Sequence, residues 1–248
     1  MDEQLVQLIN RITSLPDTWH SAGTVTNRLI GAIASRATEI GDIRHSVETG
    51  CGRTTLLLSH LSADHVVFAR DVQNSVSELT NSISQVTSSA LFNSKNVTLV
   101  EGPTQLTLAK YNFVNRVQMA LIDGPHGYPF PDLEYYYFYP LIEPGGLLLL
   151  DDTQIPSIGR MYEIIKADQM FTLLEVIDNM AFFQRSNTPL VDPTSDGWWL
   201  QGYNRNYYDQ LRGFGRQSSD QRTESAGKKS PHGFVRRIQR ALGKIGRG

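Results

Sequence analysis

The chain has 248 residues, 40% of them hydrophobic and 19% charged, with a formal net charge of −2. That is the composition of an ordinary globular protein able to bury a core, in one large domain or two small ones. It provides no global field for nucleic acid, its single cysteine, Cys51, excludes an intrachain disulfide framework, and no apolar run approaches the roughly 18–20 residues that cross a bilayer.

The N-terminus, MDEQLVQLIN, is acidic and lacks the basic-then-apolar pattern of a signal peptide. With the lone cysteine, this suits a reducing cytoplasm. Residues 1–40 read as a helical lead-in. Within it His20-Ser-Ala-Gly23 suits either a lid or a helix start. From about residue 43 to 186 strand-like and helix-like stretches alternate. Strands are expected at 43–48 (IRHSVE), 66–71 (VVFARD), 97–101 (VTLVE), 117–123 (VQMALID) and 146–151 (GLLLLD). Helical lengths lie between them, at 74–89 and 132–142, and Pro144-Gly-Gly146 marks a turn before the fifth strand. The apolar stretches 171–177 and 181–185, separated by Asp-Asn-Met, read as a closing hairpin. Alternation of this kind predicts an α/β fold, with a doubly wound, mostly parallel sheet and helices on both faces. A domain is expected over 41–212, with a Pro-, Gly-, Trp- and Tyr-rich loop cap at 187–212. Residues 213–232 have the composition of a flexible linker.

Each of the first five strands ends on an acid: Glu48, Asp71, Glu101, Asp123 and Asp151. Ligands of open parallel sheets bind beyond the carboxyl ends of the strands, so five acids there are expected to converge on one crevice. Any one of them alone would serve equally well as a helix cap.

The first strand runs into Val47-Glu-Thr-Gly-Cys-Gly-Arg-Thr-Thr55. Glycines at 50 and 52 allow a tight turn whose backbone N–H groups face a ligand. A dinucleotide fingerprint would carry a third glycine where Thr55 stands, and Glu48 would repel a pyrophosphate. A cationic sulfonium would be attracted by that carboxylate, which favours S-adenosylmethionine over NAD. Here the sequence resembles the class I S-adenosylmethionine-dependent methyltransferases, whose first motif is an acid followed by x-G-x-G-x-G. Thr54 stands at the last glycine position. The resemblance covers about residues 40–186 and implies a Rossmann-like seven-stranded sheet with a reversed last strand. It also implies that Glu48, Thr49, Gly50, Gly52, Asp71, Gly102 and Asp123 surround the cofactor. Asp71 would bind the ribose hydroxyls, and Glu101-Gly-Pro103 would border the adenine.

Asp123 ends the fourth strand, His126 follows three residues later, and Asp151 and Asp152 end the fifth. Neighbouring strand ends would gather these acids as oxygen ligands suited to Mg²⁺, which could hold an acceptor hydroxyl and lower its pKa. His126 could then take the proton as general base. The constellation resembles the metal-dependent O-methyltransferases, and the Asp123-x-x-His126 spacing resembles those that methylate sugar hydroxyls of macrolides. The resemblance makes Asp123, Asp151 and Asp152 the metal ligands and His126 the base. Helix capping by the Asp pair and a simple turn at Gly124-Pro125 are the plainer alternative.

For the acceptor, Tyr135, Tyr136, Tyr137 and Tyr139 lie on an expected helix, at least two of them as packing, and Trp198, Trp199 and Tyr203 lie where a lid is expected. Aromatic faces of this kind suit a sugar or planar small molecule. Residues 228–248 hold seven Lys or Arg and no acid, which leaves −9 for the rest of the chain. In that tail Phe234, Ile238, Leu242 and Ile245 fall on one helical face, with Arg236, Arg237, Arg240, Lys244 and Arg247 largely on the others. The design, over 233–248, suits peripheral contact with an anionic membrane, or docking on the chain's own acidic domain.

An O-methyltransferase of a small or glycosidic hydroxyl is therefore the expected function. A metal-independent N-methyltransferase and a methyltransferase-like binding module docking through the tail are the alternatives. No nucleic-acid partner is expected, because the basic residues sit in one tail.

Overall fold

The computed structural model describes residues 2–19, 25–70, 82–192 and 196–210. Seven strands, β1 (Ile43–Thr49), β2 (Ser62–Ala69), β3 (Val97–Glu101), β4 (Val117–Ile122), β5 (Ile142–Leu150), β6 (Phe171–Ile177) and β7 (Met180–Arg185), form one sheet in the order β3-β2-β1-β4-β5-β7-β6. Neighbours from β3 through β5 pair in parallel, and β7 runs antiparallel to both β5 and β6. This is a Rossmann-like α/β fold with the reversed strand that the resemblance implied.

Period-two alternation divides the sheet's side chains between two cores. Leu147 and Leu149 of β5 with Met180 and Phe182 of β7 enter one core, and Leu148, Leu150, Ala181 and Phe183 enter the other. The first core is covered by α1 (Glu3–Thr13), α2 (Asn27–Ile40) and α3 (Arg53–Leu61), through Ile12, Ile30, Ile33 and Leu56–Leu58. The second is covered by α6 (Phe130–Phe138) and α7 (Pro156–Ala167), through Phe138, Ile158, Met161 and Ile165. The short helices α4 (Ser82–Thr87) and α5 (Thr104–Thr107) lie between these in sequence. Each fully buried Leu or Ile contributes about 1.5–3 kcal/mol, so the Leu147–Leu150 run is a principal anchor of the sheet.

Side-chain caps start the two leading helices: Asp2 accepts from Leu5 N at 2.7 Å, and Thr26 accepts from Leu29 N at 3.2 Å. The chain divides into two compact units, Met1–Asn204 and Arg205–Gly248. In the second unit only residues 205–210 are described, and they are helical. No helix among the described residues is long and apolar enough to cross a membrane.

Three expectations of boundary change. β2 begins at Ser62, four residues early, because polar Ser62–His65 pair in register with β1 from Ile43 onward. Pro144-Gly-Gly146 does not precede β5 but lies inside it. Pairing jumps from Val117–Ile142 to Met119–Leu147, so residues 143–146 bulge opposite Gln118, with Gly145 at φ +86. The expected helix 132–142 starts earlier, ends at Phe138, and passes through a 3-10 turn, Tyr139–Leu141, into β5. Of the expected helix 74–89, only Ser82–Thr87 falls among the described residues, as a helix.

Candidate active site

β1 lies between β2 and β4, so the winding of the sheet reverses there. At that reversal a cavity of about 780 Å³ opens beyond the carboxyl ends of the strands. Its wall is made by Gly50–Thr54 after β1, Phe68–Arg70 at the end of β2, Pro103–Gln105 after β3, Asp123–His126 after β4 and Asp151–Asp152 after β5. Val25, Thr26 and Leu29 at the start of α2 close one side together with Asp178 and Asn179 of the β6–β7 turn. Thr26 Oγ1 donates to Asp178 Oδ2 at 2.6 Å and so ties these two walls to each other.

The glycine turn is held by its neighbours. Gly50 has φ +89, and its N–H donates to Phe68 O at 2.9 Å. A Cβ on Gly50 would stand 2.3 Å from Asp123 O, so no other residue fits there. Gly52 N–H donates to Thr55 Oγ1 at 3.0 Å, and the Thr55 hydroxyl in turn donates to Glu48 Oε1. Glu48 is fully buried, and its other oxygen lies 3.4 Å from Nε2 of the buried His65. It does not line the cavity. The expected direct attraction between Glu48 and a sulfonium is therefore corrected: this carboxylate braces the turn from beneath. Thr55, at the position where a dinucleotide fingerprint needs glycine, is the link.

Thr49 is likewise absent from the cavity wall. It is buried, donates to Glu134 Oε2 at 2.7 Å and accepts from Asp123 N at 3.1 Å. Gly102, at φ +140, also lies off the wall and donates its N–H to Ala69 O at 2.8 Å. It is Pro103, Thr104 and Gln105, immediately after it, that reach the cavity. Asp71 lies outside the described residues. Of the five strand-end acids, Asp123 and Asp151 line the crevice, Glu48 is beneath it, and Glu101 is exposed and off its wall. The expected convergence of all five is thus corrected among the described residues.

Asp123, His126 and Asp152 bring one ligand atom each to within 4.8 Å of one another. His126 Nε2 stands 3.1 Å from Asp152 Oδ2. Gln154 Nε2 donates to the other oxygen, Asp152 Oδ1, at 2.7 Å. Asp152 has φ +56, a left-handed conformation that Asp tolerates. The Ser157 hydroxyl, in the first turn of α7, donates to His126 O and fastens the loop from the other side. Of the expected metal set of Asp123, Asp151 and Asp152, the first and last belong to the converging group. Asp151 lines the same cavity, and His126 is the third member of the group.

The acids repel one another. Burial, followed by the charges of Asp151, Glu48, Asp152 and Glu134, holds the Asp123 carboxyl well above the usual range. Asp151 is also raised, mainly by burial and further by Asp152. Glu134, fully buried on α6, is pushed up to about 7 by burial against the opposing hydroxyls of Thr49 and Thr104. Carboxylates that raise each other's pKa form a donor set that a cation would relieve. Two carboxylates and an imidazole fit a divalent ion.

Sequence reasoning missed Glu134, Phe130 and Thr55. Glu134 carried a signal, as an acid inside the aromatic and apolar run of α6. The expected aromatic pocket is not formed by its candidates. Tyr135 stacks on Tyr139 at 5.1 Å, Tyr139 donates to Val191 O at 3.0 Å, and none of the four tyrosines lines the cavity. Trp198, Trp199 and Tyr203 are not a lid over it either. A Cβ on neighbouring Gly202 would lie 1.8 Å from Ala167 O, at the end of α7 that leads into the start of β6, which is at the opposite end of the strands from the cavity. His20–Gly23 lies outside the described residues. Phe130, at the start of α6, and Phe68, in β2, are the aromatic residues on the cavity wall among the described residues.

Residues 47–153 match the methyltransferase domain family. No curated protein matches the sequence. Among solved structures, a Klebsiella pneumoniae protein assigned as an O-methyltransferase aligns with TM-score 0.56 at 14% identity, over 75% of this chain and 91% of that one. The O-methyltransferase TomG of Streptomyces achromogenes, involved in tomaymycin synthesis and solved with S-adenosylmethionine, aligns with TM-score 0.53 at 14% identity, over 75% and 91%. The MycE methyltransferase of the mycinamycin pathway, solved with Mg and S-adenosylhomocysteine, aligns with TM-score 0.50 at 13% identity, over 75% of this chain and 55% of MycE. At these identities the likeness is one of fold.

Proposed function

We propose that this chain, which has a class I S-adenosylmethionine-dependent methyltransferase domain and fold, transfers the cofactor's methyl group to a hydroxyl oxygen of a small or glycosidic acceptor. The single observation that carries the reading is the convergence of Asp123, His126 and Asp152 on the wall of a cavity whose other side is the Gly50–Thr54 turn. The flat face of the cofactor's adenine would meet Phe68 and the Pro103–Gln105 loop. Its cationic sulfonium would face the acids at the ends of β4 and β5. TomG with S-adenosylmethionine and MycE with S-adenosylhomocysteine support this assignment of the cavity.

In the reaction the acceptor oxygen forms a bond to the methyl carbon while the sulfur–carbon bond breaks. The sulfonium becomes a neutral thioether, and the hydroxyl proton must leave. Asp152, 3.1 Å from Nε2, can hold the imidazole of His126 in the tautomer that leaves Nδ1 free to accept that proton. Asp123 and Asp152, with Asp151 on the same wall, would hold a divalent cation such as Mg²⁺ while His126 serves as the base. Bound there, it would supply a Lewis acid that lowers the hydroxyl pKa. The test is methyl transfer from labelled S-adenosylmethionine to a panel of sugars, catechols and lipid glycosides. Label in a hydroxyl ether of one class supports the reading. Label only on amines, or binding of NAD in place of S-adenosylhomocysteine, removes it.

A second part of the proposal concerns residues 233–248, which lie outside the described residues. We propose that this basic, amphipathic stretch holds the enzyme peripherally on an anionic membrane surface. The segregation of Phe234, Ile238, Leu242 and Ile245 from the five cationic residues supports it.

A further inference from the structure

Asp123 is gripped on three sides, and two of the side chains that hold it, Thr49 and Glu134, lie off the cavity wall. Its N–H donates to Thr49 Oγ1 at 3.1 Å, and its carbonyl oxygen lies where a Cβ on Gly50 would be 2.3 Å away. The next residue, Gly124, packs against Glu134, so that a Cβ there would be 2.2 and 2.5 Å from the two carboxylate oxygens. Thr49 Oγ1 donates its own proton to Glu134 Oε2 at 2.7 Å. That direction matters. A hydroxyl has one proton to give, and by giving it to Glu134 it keeps a lone pair turned toward the Asp123 amide. Glu134 is fully buried, and no Arg, Lys or His among the described residues forms an ion pair with it. A carboxyl buried without a cation is costly, and packing alone would favour an apolar side chain at this position.

We infer that Glu134 and Thr49 form a positioning pair that fixes Asp123 and the Gly124–His126 loop, and thereby sets the geometry of the Asp123–His126–Asp152 group. The inference rests on the proposed reading of that group as the reacting centre. Glu134 reaches across from α6, the second-core layer, and Thr49 is the last residue of β1. The pair therefore locks the end of β4 to both a neighbouring strand and a covering helix. Neither residue touches the reactants; both act through Asp123.

The experiment uses the full chain with Mn²⁺ and S-adenosylhomocysteine as probes, in the parent and in Thr49→Val, Thr49→Ser, Glu134→Ala, Glu134→Gln and the Thr49→Val/Glu134→Ala double variant. Thr49→Val keeps the shape and removes the hydroxyl. Thr49→Ser and Glu134→Gln keep the donor and the acceptor. The expected result is a loss of Mn²⁺ affinity of about tenfold or more in Thr49→Val and Glu134→Ala, with S-adenosylhomocysteine affinity within about threefold of the parent. The conservative variants should restore Mn²⁺ affinity to within about threefold, and the double variant should be no worse than either single one. Additive losses, or parallel loss of both probes, would overturn the inference in favour of a general packing role. If the parent binds S-adenosylhomocysteine but no Mn²⁺, the metal reading fails separately. The pair is then judged by amide hydrogen exchange of Asp123–His126. Exchange faster by about tenfold in Thr49→Val, with the rest of β4 unchanged, supports it, and unchanged exchange overturns it. Should Glu134→Ala not fold, Thr49→Val and Glu134→Gln still decide.

Discussion

A Cβ on Gly50 would stand 2.3 Å from the backbone oxygen of Asp123, just past the paired ends of the parallel strands β1 and β4. Glycine is required there by the fold before any ligand arrives. Gly50→Ala must therefore move backbone as well as leave a φ of +89 that L residues avoid. The expected cost is roughly 3 kcal/mol, or a fall of about 6–12 °C in Tm for a domain of this size. A variant that loses S-adenosylhomocysteine binding while keeping the parent Tm would show that the glycine serves ligand space instead.

His126 has two chemical uses in the same geometry, and they separate by measurement. As general base, His126→Ala lowers the methyl-transfer rate by roughly 10²–10⁴-fold and leaves Mn²⁺ affinity near the parent value. As a ligand, the same change weakens Mn²⁺ itself, and excess EDTA abolishes turnover while cofactor binding persists. Titrating Mn²⁺ against parent and variant, beside their rates, tells the two apart. Full activity of His126→Ala, with or without EDTA, would exclude both uses.

Glu134 gives the fold a pH dependence whose sign can be stated. Its carboxyl is raised from an ordinary 4.5 to about 7 by burial. Between those values the folded chain keeps a proton that the unfolded chain has released, so stability falls as pH rises, by up to about 1.4 kcal/mol per pH unit. The contribution is fully present below about 4.5 and gone above about 7. Glu134→Gln cannot titrate. Its stability relative to the parent should therefore improve on the order of 3 kcal/mol between pH 4.5 and 8, read by denaturant unfolding at several pH values. A parent–variant difference that stays flat across that range would refute the raised carboxyl.

What the sequence made legible follows from period and composition. The Leu147–Leu150 run, the acids just past β4 and β5, and the 171–185 hairpin each announce themselves within a few residues, because strand burial and strand ends are local properties. β2 begins early because Ser62, Asp64 and His65 hide a strand behind polar side chains that only pairing with β1 explains. The directions of Glu48 and Thr49 were not legible: each stands in the expected motif, yet each turns away from the cavity toward partners far along the chain. Thr49 meets Glu134, 85 residues on, and no local pattern encodes that meeting. The displaced aromatics make the same point. Trp198 and Trp199 suit a lid by type, but Gly202 seats their segment on Ala167, at the amino ends of the strands, away from the cavity.

The last expectation concerns residues 228–248, with seven Lys or Arg and no acid. Phe234, Ile238, Leu242 and Ile245 follow one another at intervals of four, four and three, which gathers them on one side of a helix. Gly243 and Gly246 weaken a free helix, so binding and folding should be coupled. Near an anionic bilayer each cation contributes about 1 kcal/mol, and five to seven of them suffice for reversible attachment that salt would reverse. Co-sedimentation of the full chain with phosphatidylserine-containing vesicles should exceed that with neutral vesicles, and should fall as ionic strength rises. A chain ending at Gly227 should stay in the supernatant while keeping its affinity for S-adenosylhomocysteine, since every described residue of the cavity wall precedes it. Equal sedimentation of the two chains, or binding indifferent to salt and lipid charge, would leave the tail as a linker or a contact for the acidic domain. Retention on RNA with none on vesicles would assign its charge to a different polyanion.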